Sequence, residues 1–186
     1  MTLPFLVCDT TTKASRETPA GGEWVSSAAE CLYKALESPA AIVIVRFPET
    51  PVWRREALMV LCAALKQNSR TKDTPLLALL DTKHRRLTEE LHQAGVDFIK
   101  CIGDVQLDAA LILKTIGSLG DEDRVERHFE VVCPFLHYTP VDPHEEMTVC
   151  GAYLDRMVLG GRRLREICKR EEHLRCEFFL NPRRKG

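Results

Sequence analysis

Four cysteines in the last third of the chain, Cys133, Cys150, Cys168 and Cys176, follow the spacing C-x16-C-x17-C-x7-C. Four thiolates are the set that closes a tetrahedral zinc site or holds a cubane iron-sulfur cluster. Each borders a turn former or a charged residue, as Cys133-Pro134, Cys150-Gly151, Cys168-Lys169 and Arg175-Cys176. No C-x2-C pair is present; zinc ribbons and fingers usually carry such knuckles, whereas distant cysteines are more typical of iron-sulfur clamps. His137 and His173 can each replace one sulfur in a zinc site. Ordinary buried or free thiols are the alternative, and Cys8, Cys31, Cys62 and Cys101, inside apolar runs, are read as core residues. A nucleophilic Cys-His pair drawn from Cys133, Cys150, His137 and His144 would make the chain a cysteine-dependent enzyme, but no local signature supports one.

Composition narrows the classes. With 186 residues, 45% of them hydrophobic and 28% charged, the chain can hold one full core and a small second unit. A formal net charge of -1 gives no general pull toward nucleic acid or acidic membranes. Residues 1–9 lack the basic and apolar regions of a signal peptide, and no apolar run approaches membrane-spanning length. The expectation is a cytoplasmic protein with no membrane segment, whose eight cysteines do not form a disulfide framework. The basic end, Pro182 to Gly186, reads as a solvated tail.

The element that must position any chemistry is Ala40-Ala41-Ile42-Val43-Ile44-Val45-Arg46. This unbroken apolar run, rich in β-branched residues, predicts the central strand of a parallel sheet covered on both faces. Ligands gather beyond the carboxyl ends of such strands, and here that tip is an arginine. Further strands are expected at 3–8, 24–26, 75–80 and 96–102. Helices are expected from Ser27, which can cap Ala28 to Leu36, at 52–66, at 82–94 ending on Gly95, and at 105–119. Residues 10–22 read as a loop or an abbreviated helix. Strands alternating with helices predict right-handed crossovers and a three-layer α/β sheet.

Across about residues 3 to 118 the order of Trp24 to Leu32, then Pro39 to Val45, then Thr74 to Leu80, then Ala94 to Lys100 resembles the receiver domain of two-component response regulators. The resemblance implies a flavodoxin-like sheet, a phosphoacceptor aspartate at the third strand's tip, an acidic pair for Mg²⁺, a hydroxyl after the fourth strand and a lysine on the fifth. This chain places Arg46 at or beside the acceptor position and offers Asp9, Asp81 and Lys100 around it. An arginine cannot form an acyl phosphate, and beside Asp9 it pairs with the carboxylate and repels the metal. The expectation is a degenerate pocket with a receiver's shape and none of its phosphoryl chemistry.

Gly117 to Asp123 is the expected boundary, dividing the chain into a receiver-like domain, 1–119, and a small α+β cysteine-bearing module, 120–186. In the module, β-like runs are expected at 129–132 and 147–149, and a helix at 162–172. So small a unit needs docking or a metal to stay folded. Arg162 to Arg165 form the only basic stretch fit for a recognition helix, and Glu166, Glu171, Glu172 and Glu177 beside it argue against nucleic acid. The expected function is non-catalytic signalling through a protein partner or a homodimer paired through 105–119, with zinc or an iron-sulfur cluster in the module.

Overall fold

The structure, a computed structural model, describes residues 4–11, 22–48, 52–142 and 145–183, without the side chains of 52–54. The expected loop at 10–22 lies mostly outside these residues, as do His144 and the chain's last three.

The apolar runs become five parallel strands: β1 Leu6–Cys8, β2 Glu23–Val25, β3 Val43–Phe47, β4 Leu76–Leu80 and β5 Phe98–Cys101. Their order is β2-β1-β3-β4-β5, that of flavodoxin-like sheets. Every residue of β3 and β4 is buried, which explains why neither shows polar alternation. The helices are α1 Ala28–Glu37, α2 Val52–Gln67, α3 Arg85–Gln93 and α4 Ala109–Gly117. One face of the sheet, with Leu6, Val43, Val45, Ala78 and Leu80, packs on α1, α2 and α3 through residues such as Cys31, Leu61 and Leu91. The opposite face, with Val7, Ile44, Leu77 and Leu79, packs on Ile112 of α4.

Helix ends follow local chemistry. Ser27 Oγ accepts the Glu30 amide at 3.2 Å, and Gly95, at φ +81°, ends α3 in the left-handed region. Two helices are shorter than their periodicity predicts. α4 starts only at Ala109 because Asp108 caps the Leu111 amide at 2.7 Å. α3 starts at Arg85 because the His84 ring is its cap, Nδ1 accepting the Leu87 amide at 3.0 Å.

Beyond α4 the chain stays against the sheet. Short 3-10 turns at Asp121–Asp123 and Val125–Arg127 lead into α5, His128–Val131. Val125 joins the first core, and His128 Nε2 donates to the Ile99 carbonyl at 2.8 Å. The run 129–132 expected to be β-like is therefore mostly helical, with Phe129 packed on His92 and Arg85 of α3 and Val132 in the C-terminal core cluster rather than on a partner strand. An antiparallel hairpin follows, β6 Leu136–Pro140 and β7 Glu146–Cys150. Then come α6, Gly161–Arg163, running into a π-turn at Leu164–Cys168, a 3-10 turn at Glu171–Arg175, and α7, Glu177–Leu180. Among the described residues no helix is long and apolar enough to cross a membrane.

The hairpin is clamped to the N-terminus of α3. Tyr138 stacks on the His84 ring, centroids 3.7 Å apart, and its hydroxyl accepts the Arg85 amide at 3.0 Å. Because His84 Nδ1 is an acceptor, its proton sits on Nε2, which donates to Glu146 Oε1 at 2.5 Å. Arg55 Nη1 donates to the same oxygen at 2.8 Å. Burial alone would push the Glu146 carboxyl up, but the hydrogen bonds from His84 and Arg55 outweigh it and hold it down to about 2. A carboxylate lowered in this way stabilises the fold above its ordinary value, and the contribution is lost as pH falls through about 2. The stability difference between wild type and Glu146→Gln, measured by urea unfolding, should be full at neutral pH, about 1 kcal/mol. It should shrink below about 4.5 and vanish near 2.

Candidate functional site

Two places gather chemistry-bearing side chains. The first lies at the carboxyl ends of β1, β3 and β4. The register pairs Cys8 with Val45 and Phe47 with Leu80, so Asp9 and Asp81, each one residue past its strand, come up on either side of Arg46. Arg46 is fully buried. Its Nη1 donates to Asp9 Oδ2 at 3.4 Å, while Nε and Nη2 donate to Asp81 Oδ1 at 3.4 and 3.2 Å. Asp9 Oδ1 in turn accepts the Thr11 amide at 2.9 Å. Asp104, its side chain 70% exposed, stands 3.9 Å from Nη2 at the rim.

One guanidinium thus bridges two buried carboxylates, a pairing that answers the desolvation of all three. Among the described residues there is no carboxylate at the tip of β3, and a Mg²⁺ ion drawn to Asp9 and Asp81 would face a fixed cation already paired with one oxygen of each. Chemically the pocket is a closed internal ion pair.

Lys100 does not join it. Leu79 separates Lys100 from Arg46 in register, and β5 is the sheet's edge, so the lysine turns outward. Its Nζ donates to Asp123 Oδ2 at 2.9 Å and to the Ser118 carbonyl at 3.3 Å. Asp104, by contrast, was missed in the sequence. The available signal was an acid just after the fifth strand, since parallel strands bring all their carboxyl ends to one side.

The second place is the module's core. Cys133, Cys150 and Cys168 are buried and Cys176 is half-buried. The Cys133 amide donates to the Cys168 carbonyl at 2.9 Å, and Leu136, just past Cys133, pairs with Cys150 across the hairpin. All four cysteines line one enclosed apolar cavity of about 10 Å³, together with His173. Backbone amides are aimed at three of the sulfurs: Phe135 at Cys133, Ala152 and Tyr153 at Cys150, and Phe178 and Phe179 at Cys176. Arg163 Nη2 stands 3.8 Å from the Cys176 sulfur.

Burial pushes the Cys133 and Cys150 thiols up, and that of Cys168 to about 11. Burial acts the same way on Cys176, but the Phe179 and Phe178 amides and Arg163 outweigh it and bring that thiol below its ordinary value. His173 is fixed by Nδ1 donating to the Arg170 carbonyl at 2.6 Å. His137 is not at the cavity; its Nδ1 pairs with Asp155 at 2.7 Å on the surface. Its ring lies over Gly151, where an added Cβ would come within 2.5 Å of it. Among the described residues no three His, Cys, Asp or Glu side chains are gathered closely enough to hold a single metal ion.

The other thiols sit in the main core. Cys8, Cys31 and Cys62 are fully buried in one cluster, where contact with Cys8 and burial push Cys31 far up and burial pushes Cys62 up to about 12. All three act as packing groups of the core.

Replacing Arg46 tests the ion-pair reading. Arg46→Ala leaves Asp9 and Asp81 without their counter-ion and should cost about 3–5 kcal/mol in urea unfolding. The triple change Arg46→Met, Asp9→Asn, Asp81→Asn removes the charges together and should recover much of that loss. No protein-family model and no curated protein matches this chain, so the reading of these two sites rests on their geometry.

Proposed function

We propose that this chain is a non-catalytic signalling or regulatory protein whose receiver-like domain has lost phosphoryl transfer. It acts by docking to a protein partner, a second copy included, and its C-terminal module binds zinc or an iron-sulfur cluster. The observation that carries this reading is the buried Arg46 bridging Asp9 and Asp81 at the end of the central strand. A strand order shared with flavodoxin-like sheets, and a cation where a receiver keeps its acceptor, together favour a scaffold kept for its shape.

Features of the surface support docking. An open groove of about 610 Å³ runs between α2 and α3, floored by Met59, Ala63, Leu87 and Ala94. Val60 beside it is 69% exposed, and Leu113 on α4 is 52% exposed. Apolar groups of this size in solvent are the anchors that interfaces use. The module's four thiols around one cavity support the metal-binding part of the reading.

Incubation of the full chain with acetyl phosphate and Mg²⁺ is the test. The expected outcome is no base-labile phosphoryl adduct by intact mass. An adduct that maps to Asp9 or Asp81 would overturn the reading, because it requires a carboxylate free of the guanidinium.

A further inference from the structure

The thiol-lined cavity distinguishes between one ion and a larger inorganic group. A zinc ion needs its thiolate sulfurs at about 2.3 Å. The cavity instead admits a water-sized sphere, whose radius is about 1.4 Å. A sulfur touching such a sphere stands back from its centre by two radii, well outside a zinc-thiolate bond. Among the described residues no three donors converge on a single ion position. A cubane cluster interposes an iron between its centre and each cysteine sulfur, so its thiolates stand farther apart than those around one ion.

The backbone supplies a second, independent observation. Amides two or three residues downstream lie close enough to Cys133, Cys150 and Cys176 to lower their thiols against the effect of burial. At Cys150 the turn is held by Leu154 and Asp155, both at positive φ near 60°, a conformation that ordinary side chains rarely adopt. The Asp155 amide closes it on the Cys150 carbonyl at 3.1 Å. An N–H aimed at a neutral buried thiol gains little, whereas one aimed at a metal-bound thiolate makes a charge-assisted bond of the kind that sets cluster potentials. The remaining walls, among them Leu136, Ala152, Phe178 and Phe179, are apolar and exclude the water that would hydrolyse a cluster.

We propose that Cys133, Cys150, Cys168 and Cys176 hold a [4Fe–4S] cluster in this cavity, with the Phe135, Ala152, Tyr153, Phe178 and Phe179 amides as its backbone shell. The inference rests on the metal-binding reading of the module and narrows it to one group. His173, its Nδ1 occupied by Arg170, belongs to the wall and is not a ligand. Assembly consumes two ferrous ions, two ferric ions and four sulfides, releases the four thiol protons, and makes one iron-sulfur bond to each cysteine. Arg163, beside the most exposed of the four, offsets part of the anionic charge that results.

The experiment is anaerobic purification of the full chain, then separate reconstitution with ferrous and ferric iron plus sulfide and with zinc. The expected product is brown and carries about four irons and four sulfides per chain. Cys150→Ser should lose most of that iron. Cys176→Ser, at the half-buried position where the fold tolerates change best, should do the same with its far-ultraviolet circular dichroism unchanged. Cys101→Ser, outside the cavity, should keep it. Iron held equally by wild type and both cavity variants would overturn the ligand set. One zinc per chain without iron-sulfide uptake would overturn the cluster and leave the broader metal-binding reading standing. Retention of neither would overturn both, and the phosphoryl test of the Arg46 pocket is independent of all these outcomes.

Discussion

A guanidinium buried at the end of the central strand organises this molecule. Arg46 cannot leave its place without cost, because Asp9 and Asp81 are desolvated beside it and both pair with its guanidinium. Nor can the aspartates be spared, because a lone buried guanidinium would carry the same penalty. The triad therefore locks the relative register of β1, β3 and β4 at the end where α/β sheets place their ligands. A pocket that other folds keep open for an incoming anion or metal is here filled by the protein's own charge.

With that end of the sheet closed, the neighbouring loop and helix serve as an attachment point. The N-terminus of α3 is capped by His84, and the same ring stacks on Tyr138 and donates to Glu146 of the hairpin. Arg85 Nη1 donates to the Phe129 and Val132 carbonyls, the latter adjacent to Cys133, and Lys169, adjacent to Cys168, donates to Thr82 at 2.9 Å. Two of the four cavity cysteines are thus one peptide unit away from contacts with the sheet domain. The small C-terminal segment, too thin to hold a large core of its own, takes much of its order from this clamp.

The two cysteine populations show how context divides one chemistry. Cys8, Cys31 and Cys62 lie in one cluster between a sheet and its helices, and burial raises the Cys31 and Cys62 thiols there. The module's cysteines sit at turns and short helix starts, where unpaired amides are abundant and can point at sulfur. Secondary structure, more than burial, separates the packing thiols from those that line the cavity.

The sequence by itself determined the sheet. Unbroken apolar runs such as Leu76 to Leu80, and helical periodicity closed by Ser27 and Gly95, reflect local sterics and burial on two faces, and both can be read along one segment. It also marked Arg46 as the residue at the critical tip and the last four cysteines as a group. What needed the tertiary structure was every pairing between segments far apart in the chain. Lys100 turning to Asp123, Asp104 arriving at the rim, and His84 joining Tyr138 and Glu146 depend on edge position and register. The region at 129–132 is mostly helical, and its apolar residues meet α3 and the C-terminal core cluster, contacts that no local pattern records. A one-dimensional pattern records which residues want burial or a partner; which partner each one meets is set by the crossing of strands and helices, and that is a property of the folded chain.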